Sequence, residues 1–271
     1  MSYKNVYKNA LFLAGMIISP ICFYEAIASA PKDDTSVTAL VGGGTNPHPG
    51  EISLAHNGVL FLDELPEYKR SVLEVMRQPL EDRHITVART KETVDYPASF
   101  MLVAAMNPCP CGHYGENNPA HPCTCTPAQV HRYMSKISGP LLDRIDIQCE
   151  IEAVPYDRLR DAQPGESSAV MRERVLKARA IQTERFRHSK LVHCNAMMNA
   201  KMVRQYCALD AECDKLLEFT MTKLGLSARA YDRILKVART IADIEGSEDI
   251  RKNHLLEAIS YRSLDRNNWG G

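Results

Sequence analysis

Apolar residues follow two different rhythms along the chain. Up to about residue 150 they come in short unbroken runs, and from 168 onward they recur every three to four residues. The run Val59-Leu60-Phe61-Leu62 is closed by Asp63-Glu64, which predicts a strand buried on both faces. Phe100-Met101-Leu102-Val103-Ala104-Ala105 predicts a second such strand, ending at Met106-Asn107-Pro108. Between them, Val72, Leu73, Val75, Met76 and Leu80 give the apolar face of a helix over 67–80. Alternation around Thr90-Lys91-Glu92 predicts a β-hairpin over 85–96 with Arg89 and Lys91 at its tip. Residues 31–50 are rich in Pro and Gly and read as loop, with Gly42-Gly43-Gly44 as a hairpin tip and Glu51 to Ala55 as a short strand. A helix follows over Pro127 to Ile137, and then Gly139-Pro140 leads into a short helix and an apolar strand flanking Arg144.

Residues 155–167 carry Pro155, Pro164, Gly165 and Ser167 and read as a linker. Helices are expected at 168–187, 198–207, 211–223, 227–245 and 250–262. The fourth is the best defined, with Ser227 as N-cap, an apolar stripe through Ile234, Leu235, Ala238 and Ala242, and Gly246 as its stop. The fold class expected is therefore α/β: a parallel sheet with flanking helices over 31–154, followed by an all-helical domain over 168–271.

Residues 1–30 fit neither part. Lys4, Lys8, an apolar run from Ala10 to Tyr24 and Ala28-Ser29-Ala30 have the form of a signal peptide directing export. The alternative is a buried helix or strand of the core. A membrane contact through residues 10–28 is disfavoured, because the run is short and Pro20 interrupts it.

Composition narrows the classes. Lys and Arg number 33 against 33 Asp and Glu, so any nucleic-acid contact must be local rather than a broad basic face. A single Trp and 7% aromatics argue against base-stacking platforms. Nine cysteines, an odd number, do not form the pattern of a secreted disulfide scaffold and suit a reducing, cytoplasmic compartment. Cys22, Cys149, Cys194, Cys207 and Cys213 sit among apolar neighbours and read as small core residues.

The candidate chemistry is concentrated at a few places. Adjacent carboxylates at a strand's C-terminal end sit where open α/β sheets take ligands. One of Asp63 and Glu64 can hold a hydrated Mg²⁺ on a phosphate while the other orients a water; an ordinary acidic strand end is the alternative. Asn107 either reaches that same site or simply begins the Asn-Pro turn. Arg144 either pairs with Asp143 or Asp146, or faces a neighbouring subunit's phosphate. Arg229 opposes the dipole of its helix, and so either serves a γ-phosphate or pairs with Asp232 or solvent. Within a Cys-rich insertion over 108–127, Cys109, Cys111, Cys123 and Cys125 either hold a tetrahedral zinc or remain four reduced thiols, with His113, His121 and His131 as spare ligands. No Gly is followed by Lys, so the Gly42–Gly44 triplet is not a phosphate-binding loop.

Several strings occur in a specific order. They are Leu40-Val-Gly-Gly-Gly44, Pro49-Gly-Glu-Ile-Ser-Leu-Ala-His56, Gly58-Val-Leu-Phe-Leu-Asp-Glu-Leu-Pro66 and Leu73-Glu-Val-Met-Arg-Gln-Pro-Leu-Glu81. Ala105-Met-Asn-Pro-Cys-Pro-Cys-Gly112, Ser138-Gly-Pro-Leu-Leu-Asp-Arg-Ile-Asp146 and Leu226-Ser-Ala-Arg-Ala-Tyr231 follow. Over roughly 34–265 the chain resembles the magnesium-chelatase-like AAA+ ATPases of the ComM/YifB subfamily. That resemblance implies a P-loop-type nucleoside triphosphatase using ATP and Mg²⁺, assembled as a homo-hexamer or with full-length AAA+ subunits, with DNA in a central pore. It implies ATP-driven DNA remodelling, namely helicase and branch-migration work in recombination or transformation. By motif position it implies that Asp63 and Glu64 are the Walker-B pair, Asn107 is sensor 1, Arg144 the arginine finger and Arg229 sensor 2. The 85–96 hairpin, with Arg89 and Lys91, would face the pore, and residues 168–265 would be the helical lid. The subfamily's Walker-A loop and N-terminal protease-like domain have no counterpart in this sequence. The chain alone is accordingly expected to bind ATP weakly or not at all, as a truncated form, a fragment completed by another polypeptide, or a degenerate subunit. A non-catalytic regulatory subunit of an AAA+ ring and a chelatase-type ATPase subunit are the alternative functions.

Overall fold

The computed structural model describes residues 28–29, 36–44, 47–88, 93–115, 121–151 and 165–262. The chain divides into two compact units, the first reaching to Ile145 and the second running from Asp146.

The first unit is built on parallel strands. β1 (Ala28–Ser29) and β7 (Met101–Ala104) pair parallel with either side of β4 (Val59–Leu62). The two apolar runs thus form neighbouring strands, as their composition predicts, and two residues of the small-x-small triplet lie beside them. The rest of the apolar run before Ala28 lies outside the described residues. Leu60 and Leu62 are fully buried, and with Leu40, Ile52, Leu73, Met76, Ile137 and Leu141 they form the core of this unit.

Residues 36–55 are more ordered than their Pro and Gly content suggests. Val37–Val41 form α1, capped by Ser36, whose hydroxyl accepts from the Ala39 N–H. The glycines are not merely a hairpin tip: β2 (Gly42–Gly43) pairs antiparallel with β3 (His48–Pro49), Gly42 against Pro49. Gly42 has φ 98°, a backbone that other residues rarely adopt. The strand expected over Glu51 to Ala55 is instead a one-turn helix, α2 (Glu51–Leu54). Burial explains it, since Ile52, Ser53 and Ala55 face inward while Leu54 is 58% exposed, which is a helical and not an alternating pattern.

The helix expected over 67–80 is broken into a 3₁₀ turn (Leu65–Glu67), α3 (Arg70–Val75) and α4 (Arg77–Asp82). Pro79 accounts for the break at Met76, because it has no N–H for the Val75 carbonyl and its ring would crowd that group. β5 (His84–Ala88) and β6 (Thr93–Pro97) form the expected hairpin, with Ala88 opposite Thr93. Its tip, with Arg89 and Lys91, lies outside the described residues. α5 (Pro127–Met134) and α6 (Gly139–Leu142) complete the unit. No strand follows Arg144 among the described residues. Asp146 accepts from Arg233, and the Gln148 N–H donates to the Tyr261 carbonyl at 2.9 Å, so that stretch is held by the second unit.

The second unit is helical, as its period predicts: α7 (Ser168–Arg185), α8 (Ala200–Tyr206), α9 (Ala211–Leu224), α10 (Ala228–Glu245) and α11 (Lys252–Ser260). Ser167, Asn199, Asp210 and Ser227 each accept a hydrogen bond from the third residue of the helix they start. α10 is central and packs against α7, α8 and α11 through Ile234, Leu235 and Ala238. Cys194, Cys207 and Cys213 are buried there as expected, but Cys149 is exposed, in a segment without regular structure.

Asp243, fully buried on α10, takes two hydrogen bonds from the Arg185 guanidinium (2.6 and 2.7 Å), one from Asn195 Nδ2 (2.7 Å) and one from Arg239 Nε (3.0 Å). Arg239 also donates to the Glu248 and Ser247 carbonyls, at 2.6 and 2.5 Å. Among the described residues no helix is long and apolar enough to cross a membrane.

Candidate functional site

The parallel register brings two strand ends together. Leu62 stands beside Ala104. Beyond that rung the Ala105 N–H donates to the Leu62 carbonyl and the Leu65 N–H to the Ala105 carbonyl, both at 2.9 Å. Asp63-Glu64 therefore leave β4 between two backbone bonds to the segment that carries Asn107. Parallel strands point the same way, so all three residues follow strand ends at the carboxyl edge of the sheet. Asp63 and Asn107 are exposed and Glu64 is half-buried.

Glu64 has φ 52° and ψ 50°, left-handed backbone on a residue with a Cβ. Such a conformation costs roughly 1–2 kcal/mol and persists where the surroundings impose it. Here the Glu64 N–H donates to Asp63 Oδ1 at 2.9 Å, and its carbonyl accepts from Glu67 at 2.8 Å. The chain consequently turns out of the strand immediately after the first carboxylate. Exposed carboxylate and amide oxygens at two strand ends are the donor set a hydrated Mg²⁺ accepts, since it takes one or two carboxylates and keeps several waters.

Arg144 lies elsewhere. It is 8% exposed, pairs with Glu81 at 2.8 Å and donates to the Pro140 carbonyl at 2.6 Å. Its acidic partner is thus neither Asp143 nor Asp146. It faces into its own unit, lining a cleft of about 410 Å³ with Glu74, Arg77, Glu81 and Asp82, a cleft that does not include Asp63, Glu64 or Asn107. Arg229 is exposed in the first turn of α10, in the helical unit.

The four clustered cysteines converge. Cys109 Sγ is 3.3 Å from Cys111 Sγ and 3.8 Å from Cys123 Sγ, and the latter two are 3.5 Å apart. All four sulfurs, with Cys125, lie within 4.8 Å of one another. Cys109 is fully buried against Val130, Tyr133 and Met134 of α5. His113 and His121 stack on each other, with ring centroids 5.7 Å apart, and are not among the four converging ligands. The backbone N–H groups of His113 and Thr124 hold the Cys111 thiol down to about 5. Cys125 moves the other way, to about 12: the Cys111 backbone pulls it down, but desolvation and the neighbouring sulfurs outweigh that. Four thiols this close resist ionising together unless a cation joins them.

The Asp243 cluster joins residues from separate segments and has little sequence signal. Its one local signal is Arg239 and Asp243, four residues apart on the same face as Leu235, Ala238 and Ala242, where a solvated ion pair has no place.

Two family models match the chain: magnesium chelatase, subunit ChlI, over residues 19–159, and magnesium chelatase, subunit ChlI C-terminal, over residues 165–262. The chain is 51% identical over 238 residues to the uncharacterized protein YifB of Escherichia coli. It is 50% identical over 239 residues to the competence protein ComM of Haemophilus influenzae. To the uncharacterized protein Rv2897c of Mycobacterium tuberculosis it is 40% identical over 236 residues. These matches cover 88%, 88% and 86% of this chain and 45% of each relative, so the chain spans about half the length of these curated relatives.

Proposed function

Because the chain belongs to the magnesium chelatase ChlI family and is of the ComM/YifB type, we propose that it is the ATPase part of a ring that remodels DNA. The mixed sheet-and-helix architecture is consistent with an AAA+-like fold, and the competence protein among its relatives supports a role in DNA uptake or recombination. The observation that carries the reading is that Asp63, Glu64 and Asn107 all follow the carboxyl ends of two adjacent parallel strands.

Bound Mg²⁺–ATP would supply a phosphoanhydride with its charge partly neutralised. Asp63 holds the water shell of the metal, the Glu64 carboxylate orients the attacking water and accepts its proton, and the Asn107 amide hydrogen-bonds the phosphate or that water. Arg144 serves a neighbouring subunit in this scheme, which requires it to leave Glu81 on assembly. Arg229 acts as sensor 2 from the helical unit, and Arg89 and Lys91 meet DNA in the pore of a hexamer. A cytoplasmic location goes with this reading. The phosphate-gripping loop is not in this sequence, so the chain by itself binds ATP weakly.

The test is ATP hydrolysis, with and without DNA, by this sequence joined to a phosphate-binding loop in a full-length frame. Hydrolysis stimulated by DNA and lowered about 10²-fold by Glu64→Gln supports the motor. Unstimulated hydrolysis sinks the DNA role, and hydrolysis indifferent to Glu64→Gln sinks the site.

A further inference from the structure

We propose that Cys109, Cys111, Cys123 and Cys125 hold one tetrahedral Zn²⁺, and that this ion clamps the carboxyl end of β7 to the start of α5, fixing where Asn107 stands. Thiolates about 2.3 Å from one zinc lie about 3.8 Å apart along the tetrahedron's edges. The separations between Cys109, Cys111 and Cys123 are 3.3, 3.5 and 3.8 Å, and Cys125 completes a set within 4.8 Å. A disulfide would need about 2.05 Å, and all four cysteines are free. A multi-iron cluster would seat the thiolates on different metal atoms and spread them further. An all-sulfur set of four leaves no open position for water, so the ion is structural.

Its position in the chain gives it a task. Only Pro108 separates Cys109 from Asn107. At the other end Cys125 directly precedes Thr126, which starts α5 by a reciprocal cap: the Thr126 N–H donates to Gln129 Oε1 at 2.8 Å and the Gln129 N–H to Thr126 Oγ1 at 3.3 Å. Both ends of the insertion are therefore anchored, one to the sheet and one to a helix. The ligands tie those anchors together across a segment whose only fully buried thiol in the cluster is Cys109. The consequence for Asn107 rests on the nucleotide-site reading above, but the zinc and the clamp do not.

The 271-residue chain, purified without chelator, is expected to carry one zinc per chain by elemental analysis. Cobalt in its place should give sulfur-to-metal charge-transfer bands and tetrahedral d–d bands. Cys111→Ser and Cys123→Ser should each drop zinc below about half an equivalent, while Cys149→Ser, at an exposed cysteine outside the cluster, should keep it. Zinc below about half an equivalent in the unmodified chain after reconstitution, or iron in its place, overturns the site. Amide hydrogen exchange of the unmodified chain with and without chelator reads the clamp. Loss of protection at Met106-Asn107 and over Thr126–Val130, with the helical unit unchanged, supports it. Loss confined to 109–125, or spread through the whole chain, overturns it. No nucleotide enters these measurements, so they stand or fall separately from the ATPase assay.

Discussion

In the helical unit a buried carboxylate meets two guanidiniums and an amide, whereas in the sheet unit four sulfurs meet one another. The Asp243 cluster uses every lone-pair direction of its carboxylate, and its surplus positive charge is taken up by two backbone carbonyls. The faces of Phe186 and Tyr206 lie about 6 Å from Arg185 and add to this. Nothing further is needed, so this cluster is architecture. The thiols of the sheet unit share one sign when ionised, and the backbone N–H groups that reach Cys111, Cys123 and Cys125 are partial charges that do not cancel it. A polar cluster that closes its own charge braces a fold, and one that does not is a place for a guest.

The sharpest way to break this comparison is Asp243→Ala. It strands two mostly buried guanidiniums and should cost about 3–5 kcal/mol, unfolding the helical unit in denaturant titrations followed by helical circular dichroism. A loss under about 1 kcal/mol would make the cluster incidental. Glu64→Gly should do the reverse in the sheet unit. Removing the Cβ from a left-handed position should raise stability by about 1 kcal/mol while ending any hydrolysis, and Glu64→Gln should leave stability unchanged. Differential denaturation midpoints of the three chains decide this. Arg233→Ala removes a partner of the half-exposed Asp146 and should cost only about 0.5 kcal/mol, less still in high salt, which sets the scale for a surface pair against the buried one.

The smallest effect is one of pH. Buried His254 accepts the Arg251 N–H at Nδ1, so its proton sits on Nε2, facing Glu245. That hydrogen bond holds the Glu245 carboxyl below its ordinary 4.5. A depressed folded value means the contribution is present above pH 4.5 and lost as the pH falls through the lower value. Glu245→Gln should flatten the acid limb of stability against pH, and an unchanged limb would refute the pairing.

Much of the sheet unit was legible because its signals are local. Unbroken apolar runs gave β4 and β7, alternation gave the β5–β6 hairpin, and Asp63, Glu64 and Asn107 stand at strand ends as their sequence context predicts. The misreadings have local causes too. α2 begins at Gly50 with no capping side chain and lasts one turn, so Ile52 and Leu54 imitate a strand. Pro79 announces the break at Met76, but the apolar stripe runs unbroken across it. What sequence could not show was partnership at a distance. Glu81 lies far upstream of Arg144, and Arg185, Asn195 and Asp243 come from separate segments.

The β2–β3 hairpin imposes a restriction of another kind. A Cβ on Gly42 would stand 2.3 Å from the His48 carbonyl oxygen, and one on Gly50 would stand 2.4 Å from the Leu40 carbonyl oxygen. The obstacle in each case is backbone, which has no rotamer to retreat into. These two positions therefore reject any side chain, Gly42 by its backbone conformation as well as by volume, and are blind to charge or polarity. Alanine, the mildest replacement almost anywhere else in the chain, is as unwelcome there as lysine.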